Sequence, residues 1–470
     1  MFSPKKGAQP KQVIAVFDIG KTNKKLLLFD EQYRVVWEHS ERLEETADED
    51  GIPCENLQLL RKWMHQTLRQ VLQLPSFKLE AINFAAYGAS FVYVDAVGEP
   101  LEPLYNYLKP YPEALLEQFY QTYGGQEAFA IATASPPLGS LNSGLQLYRF
   151  KCEQLMKFAH TLYALHLPQY ASYVFTGNAC SELTSIGCHT AMWDFNQNRY
   201  HPWVAAETWS NKLPPILPYD TTFPLLDQPI RIQVGIGLHD SSAALIPYLL
   251  YFKEPFLLLS TGTWCIVLNP FNRQPLTYDE LQQDCLCYLS CQGAQVKASR
   301  LFAGQEHEQQ TARIAAHFGV APDFYETLSF NAAYFAALAS SPGSKLQKQA
   351  EPLKQSGFAR RQLQEFKDHA EAYHQLVWDM VQQQYAAAML VSEGEGEKRL
   401  FVDGGFSRNE IYMHALAATF SQWEVFAAAM PQATALGAAL ALHSKWNNRA
   451  LPPELIELKK YQSPVSMPLS

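Results

Sequence analysis

Residues 16–30 read VFDIGKTNKKLLLFD, two apolar runs joined by a turn that carries Gly20, Lys21, Thr22, Asn23, Lys24 and Lys25. A hairpin between buried strands needs only Asn-Gly or Asp-Gly at its turn. The surplus of amides, hydroxyls and ammonium groups implies an anion, because successive N–H groups around such a turn can point at one negative charge. Gly20 permits backbone geometry that other residues resist, Thr22 and Asn23 add donors, and Lys21 or Lys24 adds charge. Asp18, at the end of the first strand, is then a hard oxygen ligand for Mg2+, directly or through water. Read by itself, the stretch is explained equally well by a solvated turn beside an acidic strand end.

The form returns at residues 255–270, PFLLLSTGTWCIVLNP: an apolar strand, a turn of Ser260, Thr261, Gly262 and Thr263, and a second apolar strand. Two donor-rich turns nearly half a chain apart suggest two related halves that grip a polyphosphate from both sides of a cleft. Around the first turn, QVIAVFDIG, KLLLFD and RVVWEHS read as three successive strands, and residues 56–75, NLQLLRKWMHQTLRQVLQLP, carry apolar residues at helical spacing. The Lys-, Gln- and Glu-rich stretch from Gly343 to Ala372 reads as a surface loop followed by an amphipathic helix, SEGEGEKR as a turn, and LFVD as a short buried strand. The polar start and the Pro- and Ser-containing end, SPVSMPLS, read as loosely held.

Bulk properties narrow the function classes. A chain of 470 residues exceeds one ordinary core, and about 150 residues per domain makes two large domains the default. With 47% hydrophobic and 18% charged residues the composition is globular, and a net charge of −9 disfavours a general polyanion binder. Any phosphate site is therefore local, and nucleic acid is not an expected partner. Eight cysteines over this length form no dense disulfide framework. No run approaches the roughly 18 apolar residues of a membrane span. These features are those of a soluble, unexported, cytoplasmic protein with no membrane partner.

Two further stretches carry candidate chemistry. Residues 230–251, IRIQVGIGLHDSSAALIPYLLY, run from a strand through a Gly-x-Gly turn to Asp240 and Ser241 at the start of an apolar helix. Asp and Ser are favoured helix caps and often nothing more, yet Asp240 follows a flexible turn at the junction of the halves. A helix dipole would keep its carboxylate ionised. That does not bar it from catalysis, since in a loose phosphoryl-transfer transition state the orientation of the attacking hydroxyl matters most. His239 reads as packing or a supporting hydrogen bond. Residues 398–420, KRLFVDGGFSRNEIYMHALAATF, place a strand before Gly404 and Gly405, where a nucleoside can approach the backbone with Asn409 or Arg408 at its rim and Ser407 capping the next helix. The pattern is not Gly-x-Gly-x-x-Gly, which disfavours a Rossmann cofactor. CLCYLSC at 285–291 lacks a partner pair for zinc, and HEQQT lacks the second His of a zincin helix.

Together these motifs resemble the FGGY carbohydrate kinases of the actin, hexokinase and heat-shock ATPase superfold. FDIGKTN resembles their first phosphate hairpin, GIGLHDSSAA the segment of the catalytic aspartate, LSTGTW the second phosphate hairpin, DGGFSRN the adenosine loop, and ATALGAALAL the closing helix beside it. The resemblance implies an α/β, two-domain, ribonuclease H-like fold with an interdomain cleft: an N-terminal domain at 13–248, a C-terminal domain at 249–445 and a tail at 446–470. It implies ATP and Mg2+ as cofactors, Asp240 as general base toward a sugar hydroxyl, and Mg2+ near Asp18. Gly20, Lys21, Thr22 and Asn23 would hold phosphate on one side, Gly262 and Thr263 on the other, and Gly404, Gly405 and Asn409 would bound the nucleoside. The partner it implies is a small sugar, and a homodimer stays open.

For the substrate, LSTGTW and YGASFVYVDAVGEPL look more like rhamnulose and fuculose kinases than glycerol kinases. Gly88, Ala89, Ser90 and Phe91 would line the sugar pocket. Where many relatives carry an acidic residue and an arginine, this chain has YNYLKP, with Tyr105, Asn106, Tyr107 and Lys109. Loss of a carboxylate and gain of aromatic faces favour a 6-deoxy-ketohexose such as L-rhamnulose or L-fuculose, with Tyr107 at the sugar. The alternatives are a pentulose (xylulose or ribulose) or other polyol kinase, and a non-catalytic nucleotide-binding scaffold of the same superfold.

Overall fold

The computed structural model describes residues 9–101, 103–227, 231–340, 356–392, 398–430 and 432–463. The chain forms two compact units, one of Met1–Tyr251, Cys287–Gln295 and Gln432–Leu455, the other of Phe252–Leu286, Val296–Pro431 and Ile456–Ser470. The chain first passes from one unit to the other after Tyr251, and residues 432–455 belong with the first unit.

In the first unit, β1 (Lys11–Ile19), β2 (Lys24–Asp30) and β3 (Val35–Glu41) form an antiparallel run. β4 (Phe77–Ala86) then lies parallel to β1, and β5 (Gln233–Gly235) parallel to β4. The apolar residues of β1 explain its central place. Phe17 stacks on Phe84 and Phe175 at 5.6 and 5.7 Å and meets Trp63 of helix α1 (Leu57–Leu72) edge-on at 5.5 Å, all deep in one core. Helix α2 (Asp240–Tyr251) follows the short strand Leu238–His239, which pairs with the end of β4.

The second unit repeats the order. β6 (Leu257–Thr261), β7 (Cys265–Asn269) and β8 (Gln295–Leu301) run antiparallel, β9 (Arg399–Gly404) lies parallel to β6, and β10 (Glu424–Ala429) parallel to β9. Helix α3 (Ala303–Phe318) follows β8, and α4 (His369–Val391) and α5 (Glu410–Thr419) pack together. Asp368 accepts from the Glu371 N–H at 2.8 Å, so the long helix starts at His369 instead of filling the stretch before it. Of the loop expected there, residues 341–355 lie outside the described residues, as do most of SEGEGEKR, the first eight residues and residues 464–470. Glu457–Tyr461, assigned from sequence to a loose tail, is an edge strand on β10.

Helix α6 (Ala433–Ala441), expected beside the adenosine loop, packs on α2 in the first unit. Gly437 permits the approach, since a Cβ there would stand 1.8 Å from the Ala243 carbonyl oxygen. Among the described residues no helix is long and apolar enough to cross a membrane, and the eight cysteines are free thiols.

Candidate active site

In the first sheet the parallel strands bring three segments to one edge: Asp18 pairs with Ala85 in register, and His239 with Ala86. The carboxyl ends of parallel strands are where α/β sheets collect ligand-binding groups. Asp240 begins α2 there. Its Oδ1 accepts from the Ser241 N–H at 2.5 Å and from the Ser241 hydroxyl at 3.1 Å, and lies 3.2 Å from His239 Nε2. Among the described residues none engages Oδ2. The His239 ring is buried and stacked on Tyr288 at 5.6 Å, with Cys188 Sγ 3.0 Å from Nε2. Its Nδ1 is buried without a partner. A buried N–H left unpaired costs more than an unpaired acceptor, so the proton belongs on Nε2, where it donates to Asp240. Burial lowers the His239 pKa below the usual imidazole range and Asp240 opposes the shift, consistent with a neutral ring.

Asp18 feels Asp240. Burial first, and then the Asp240 charge, push the Asp18 pKa up to about 7, while Lys25 opposes them. Lys25, not Lys21 or Lys24, is the cation that faces this carboxylate. Antiparallel register places it directly across from Asp18, a consequence of the short turn that sequence reasoning passed over. Lys24 is spent elsewhere, its ammonium buried with Glu55 at 2.8 Å, where Tyr87 donates to the same carboxylate at 3.2 Å. Lys21 pairs with Glu45 at 2.6 Å. Gly20 also acts differently from expectation. Its N–H closes the turn on the Asn23 carbonyl at 3.0 Å, its φ is not left-handed, and a Cβ would crowd that same oxygen at 3.0 Å. Gly262 likewise donates to the Trp264 carbonyl at 3.0 Å. The N–H groups of both glycines thus shape the turns.

The segment expected at the sugar is mostly interior. Gly88 backs onto Cys188 and His239, each 2.9 Å from where its Cβ would be. Ala89 holds a left-handed φ of 59°, with its carbonyl accepting from Gln146 at 2.7 Å. Ser90 and Phe91 are interior residues, Phe91 lying against His166 at 4.0 Å between ring centres, because the chain turns into a strand paired with Tyr163–His166. In YNYLKP, Tyr107 has its pKa raised by burial and by Asp240. Tyr105 donates to Glu49 at 3.1 Å, Asn106 to the Pro53 carbonyl at 3.0 Å, and Lys109 is buried against Asp48 at 2.7 Å and Asp50 at 2.8 Å.

Three supporting residues left no mark in the sequence. The His239 N–H donates to the Thr184 hydroxyl at 2.9 Å, which donates to Glu182 Oε2 at 2.5 Å. Glu182 is buried with its other oxygen unpartnered, and burial raises its pKa to about 7 against its own hydrogen bonds. Cys188 is the third. None of these belongs to a pattern that spacing reveals, because their importance comes from contact with residue 239 some fifty positions on.

In the second unit the ends of β6 and β9 and one face of α3 enclose a groove of about 1180 Å³. Its lining includes Gly262, Thr263, Gly304, His307, Gly405 and Asn409. Gly405 has open space where a Cβ would point. Gly404 is needed for the fold: its φ is +88°, and a Cβ would stand 1.9 Å from the Thr261 carbonyl oxygen. Thr261 ties the two strand ends together, donating to the Asp403 carbonyl at 2.6 Å and accepting from the Phe406 N–H at 3.0 Å. Asn409, not Ser407, caps α5, accepting from the Tyr412 N–H at 3.1 Å, while Ser407 donates to the Gly404 carbonyl at 2.8 Å. The buried thiols Cys285 and Cys287 lie in one strand, as expected of packing residues.

Two like-ordered α/β units, one ending in an aspartate pair and the other in a glycine-lined groove, define a phosphotransferase of the sugar-kinase class. The chain belongs to the FGGY family of carbohydrate kinases: it matches the N-terminal domain of that family over residues 13–246 and the domain described as "Carbohydrate kinase FGGY, C-terminal domain" over residues 253–450. Among solved structures it is similar to a carbohydrate kinase from Novosphingobium aromaticivorans, at 23% identity and TM-score 0.76, covering 97% of this chain and 95% of that one. A ligand-bound xylulose kinase from Lactobacillus acidophilus aligns at 14% identity and TM-score 0.77 over 96% and 94%. Plasmodium falciparum glycerol kinase with ADP aligns at 14% and 0.71 over 93% and 90%. No curated protein matches the chain.

Proposed function

We propose that this carbohydrate kinase transfers the γ-phosphoryl group of ATP to a hydroxyl of a small ketose, with Asp240 receiving the hydroxyl proton. The observation that carries the reading is the Asp240 carboxylate. Ser241 and His239 fix one oxygen, and the other is left to accept from a substrate hydroxyl. A base held this way contributes chiefly by aiming its nucleophile. Tyr107 lies close enough to feel the Asp240 charge and supplies an apolar face.

The residues present fit Mg2+. Burial, and then the Asp240 charge, keep Asp18 easily protonated, a cost that a divalent cation offsets. Asp18 would hold the ion, directly or through water, and the ion when bound supplies charge neutralisation for phosphate oxygens. Lys21, Thr22, Asn23 and Thr263 are the residues we assign to the phosphates, with the backbones of Gly20 and Gly262 shaping their turns. Gly404, Gly405 and Asn409 border the nucleoside groove. A groove that presents backbone beside Gly405, where no side chain intervenes, supports that assignment.

For the sugar, Tyr107 favours a 6-deoxy-ketohexose such as L-rhamnulose or L-fuculose. A pentulose is the second reading, favoured by the match to xylulose kinases of three further bacteria. A coupled assay of ADP release against a panel of ketoses, polyols and aldonates tests both. The expected result is turnover that depends on one ketose class, and no sugar-dependent turnover with any member overturns the reading.

A further inference from the structure

Helix α3 presents Gly304, His307, Glu308 and Thr311 to the groove, spaced three and four apart on one face. His307 stands in an aromatic box, edge-on to Tyr325 at 4.9 Å, Phe406 at 5.1 Å and Tyr373 at 5.7 Å. Which of its nitrogens carries the proton follows from its neighbours. Asn409 accepts a backbone N–H through Oδ1, so the amide group on its other arm donates, and it reaches the Tyr373 hydroxyl at 2.7 Å. Tyr373 is fully buried, and among the described residues the remaining acceptor for its hydroxyl proton is His307 Nε2 at 2.9 Å. Nε2 of His307 is therefore an acceptor. Burial also lowers the His307 pKa to about 4, so the ring is neutral and its proton sits on Nδ1. Among the described residues no acceptor engages Nδ1, and that atom is not sealed in the interior.

We propose that His307 is a specificity residue of the groove, its Nδ1–H donating to an acceptor atom of the nucleoside, with Asn409 and Tyr373 setting the tautomer that makes it a donor. The assignment rests on the nucleotide reading given above. It gives Asn409 a further role, acting on the nucleoside through Tyr373 and His307.

Calorimetric titration of the full chain tests it, with ADP and with ADP analogues lacking single acceptors: 1-deaza, 3-deaza and 7-deaza bases and 2′- and 3′-deoxy riboses. His307→Phe keeps the aromatic volume and removes the donor, and is expected to weaken ADP by about five-fold or more. His307→Asn returns a donor near the position of Nδ1 and is expected to recover part of that loss, which filling space alone would not achieve. One analogue should bind wild type more weakly by the same factor and bind His307→Phe with no added loss. ADP binding to His307→Phe equal to wild type overturns the assignment, as does equal binding of every analogue to wild type, a result that stands even if the variants do not fold. Wild type that binds no ADP at all overturns this assignment and the nucleotide reading together.

Discussion

The turn after β1 and the turn after β6 occupy the same place in two sheets with the same strand order and directions, and both close through a glycine N–H. Their chemistry differs at the strand end. The first strand finishes on Asp18, opposite Lys25 and within reach of the Asp240 charge, whereas the second finishes on Ser260 and Thr261, whose hydroxyls bind backbone or remain neutral. The neighbouring parallel strand diverges in the same sense, leading on to Gly88 against His239 in one unit and to the Gly404–Gly405 pair in the other. One framework thus carries two kinds of site. On the reading proposed above, charge equips the first unit for a cation and a proton acceptor, whereas in the second backbone and small residues leave room for a ligand.

If that division of labour is right, Asp240→Asn should give the largest effect, lowering kcat by about 10²-fold or more. ADP affinity, measured by calorimetry, should stay near that of wild type. Loss of nucleotide binding with kcat retained would erase the contrast between the units.

Gly404→Ala comes next. Its Cβ would overlap the Thr261 carbonyl in a left-handed backbone, so a stability loss of about 2 kcal/mol or more is expected in denaturant unfolding. Gly405→Ala, with open space at its Cβ, should keep stability and weaken ADP instead.

Glu182 sharpens the comparison through pH. Its folded pKa of about 7 exceeds the unfolded value, so between these the native state binds more protons and stability from this group falls as pH rises through the window. Glu182→Gln should therefore raise the melting temperature relative to wild type at pH 8 and not at pH 4. Equal differences at both pH values would show the group to be unperturbed. The smallest expected effect is that of Thr22→Val or Thr263→Val, each raising the KM for ATP about five-fold through loss of one hydroxyl contact. Assayed separately, they show whether both turns touch phosphate.

Much of the framework was legible because it follows from local pattern. The apolar runs around Gly20 and Gly262 and the helices after Asp240 and Asn409 need only side-chain period and turn chemistry, and they lie where the pattern placed them. The repeated order of strands, suggested by a single shared turn, holds through five strands of each sheet. The lysines of the first turn show where local pattern ends. Their number was plain, but which one faces Asp18 depends on pairing register, and which one is buried depends on Glu55, some thirty residues away. In YNYLKP the partners were equally illegible, because Asp48, Glu49 and Asp50 claim Lys109 and Tyr105 from some fifty to sixty positions away.

By itself, the sequence determined the identities at the strand ends and the small residues at the turns, since backbone preference and alternation act between near neighbours. Only the tertiary structure decided partnership: that His239 steadies Asp240, that α6 rests on α2, and that Asn409 and Tyr373 leave the proton of His307 on Nδ1. The reason is physical. A buried donor or acceptor must find its complement wherever folding brings one, and distance along the chain sets no limit on that search.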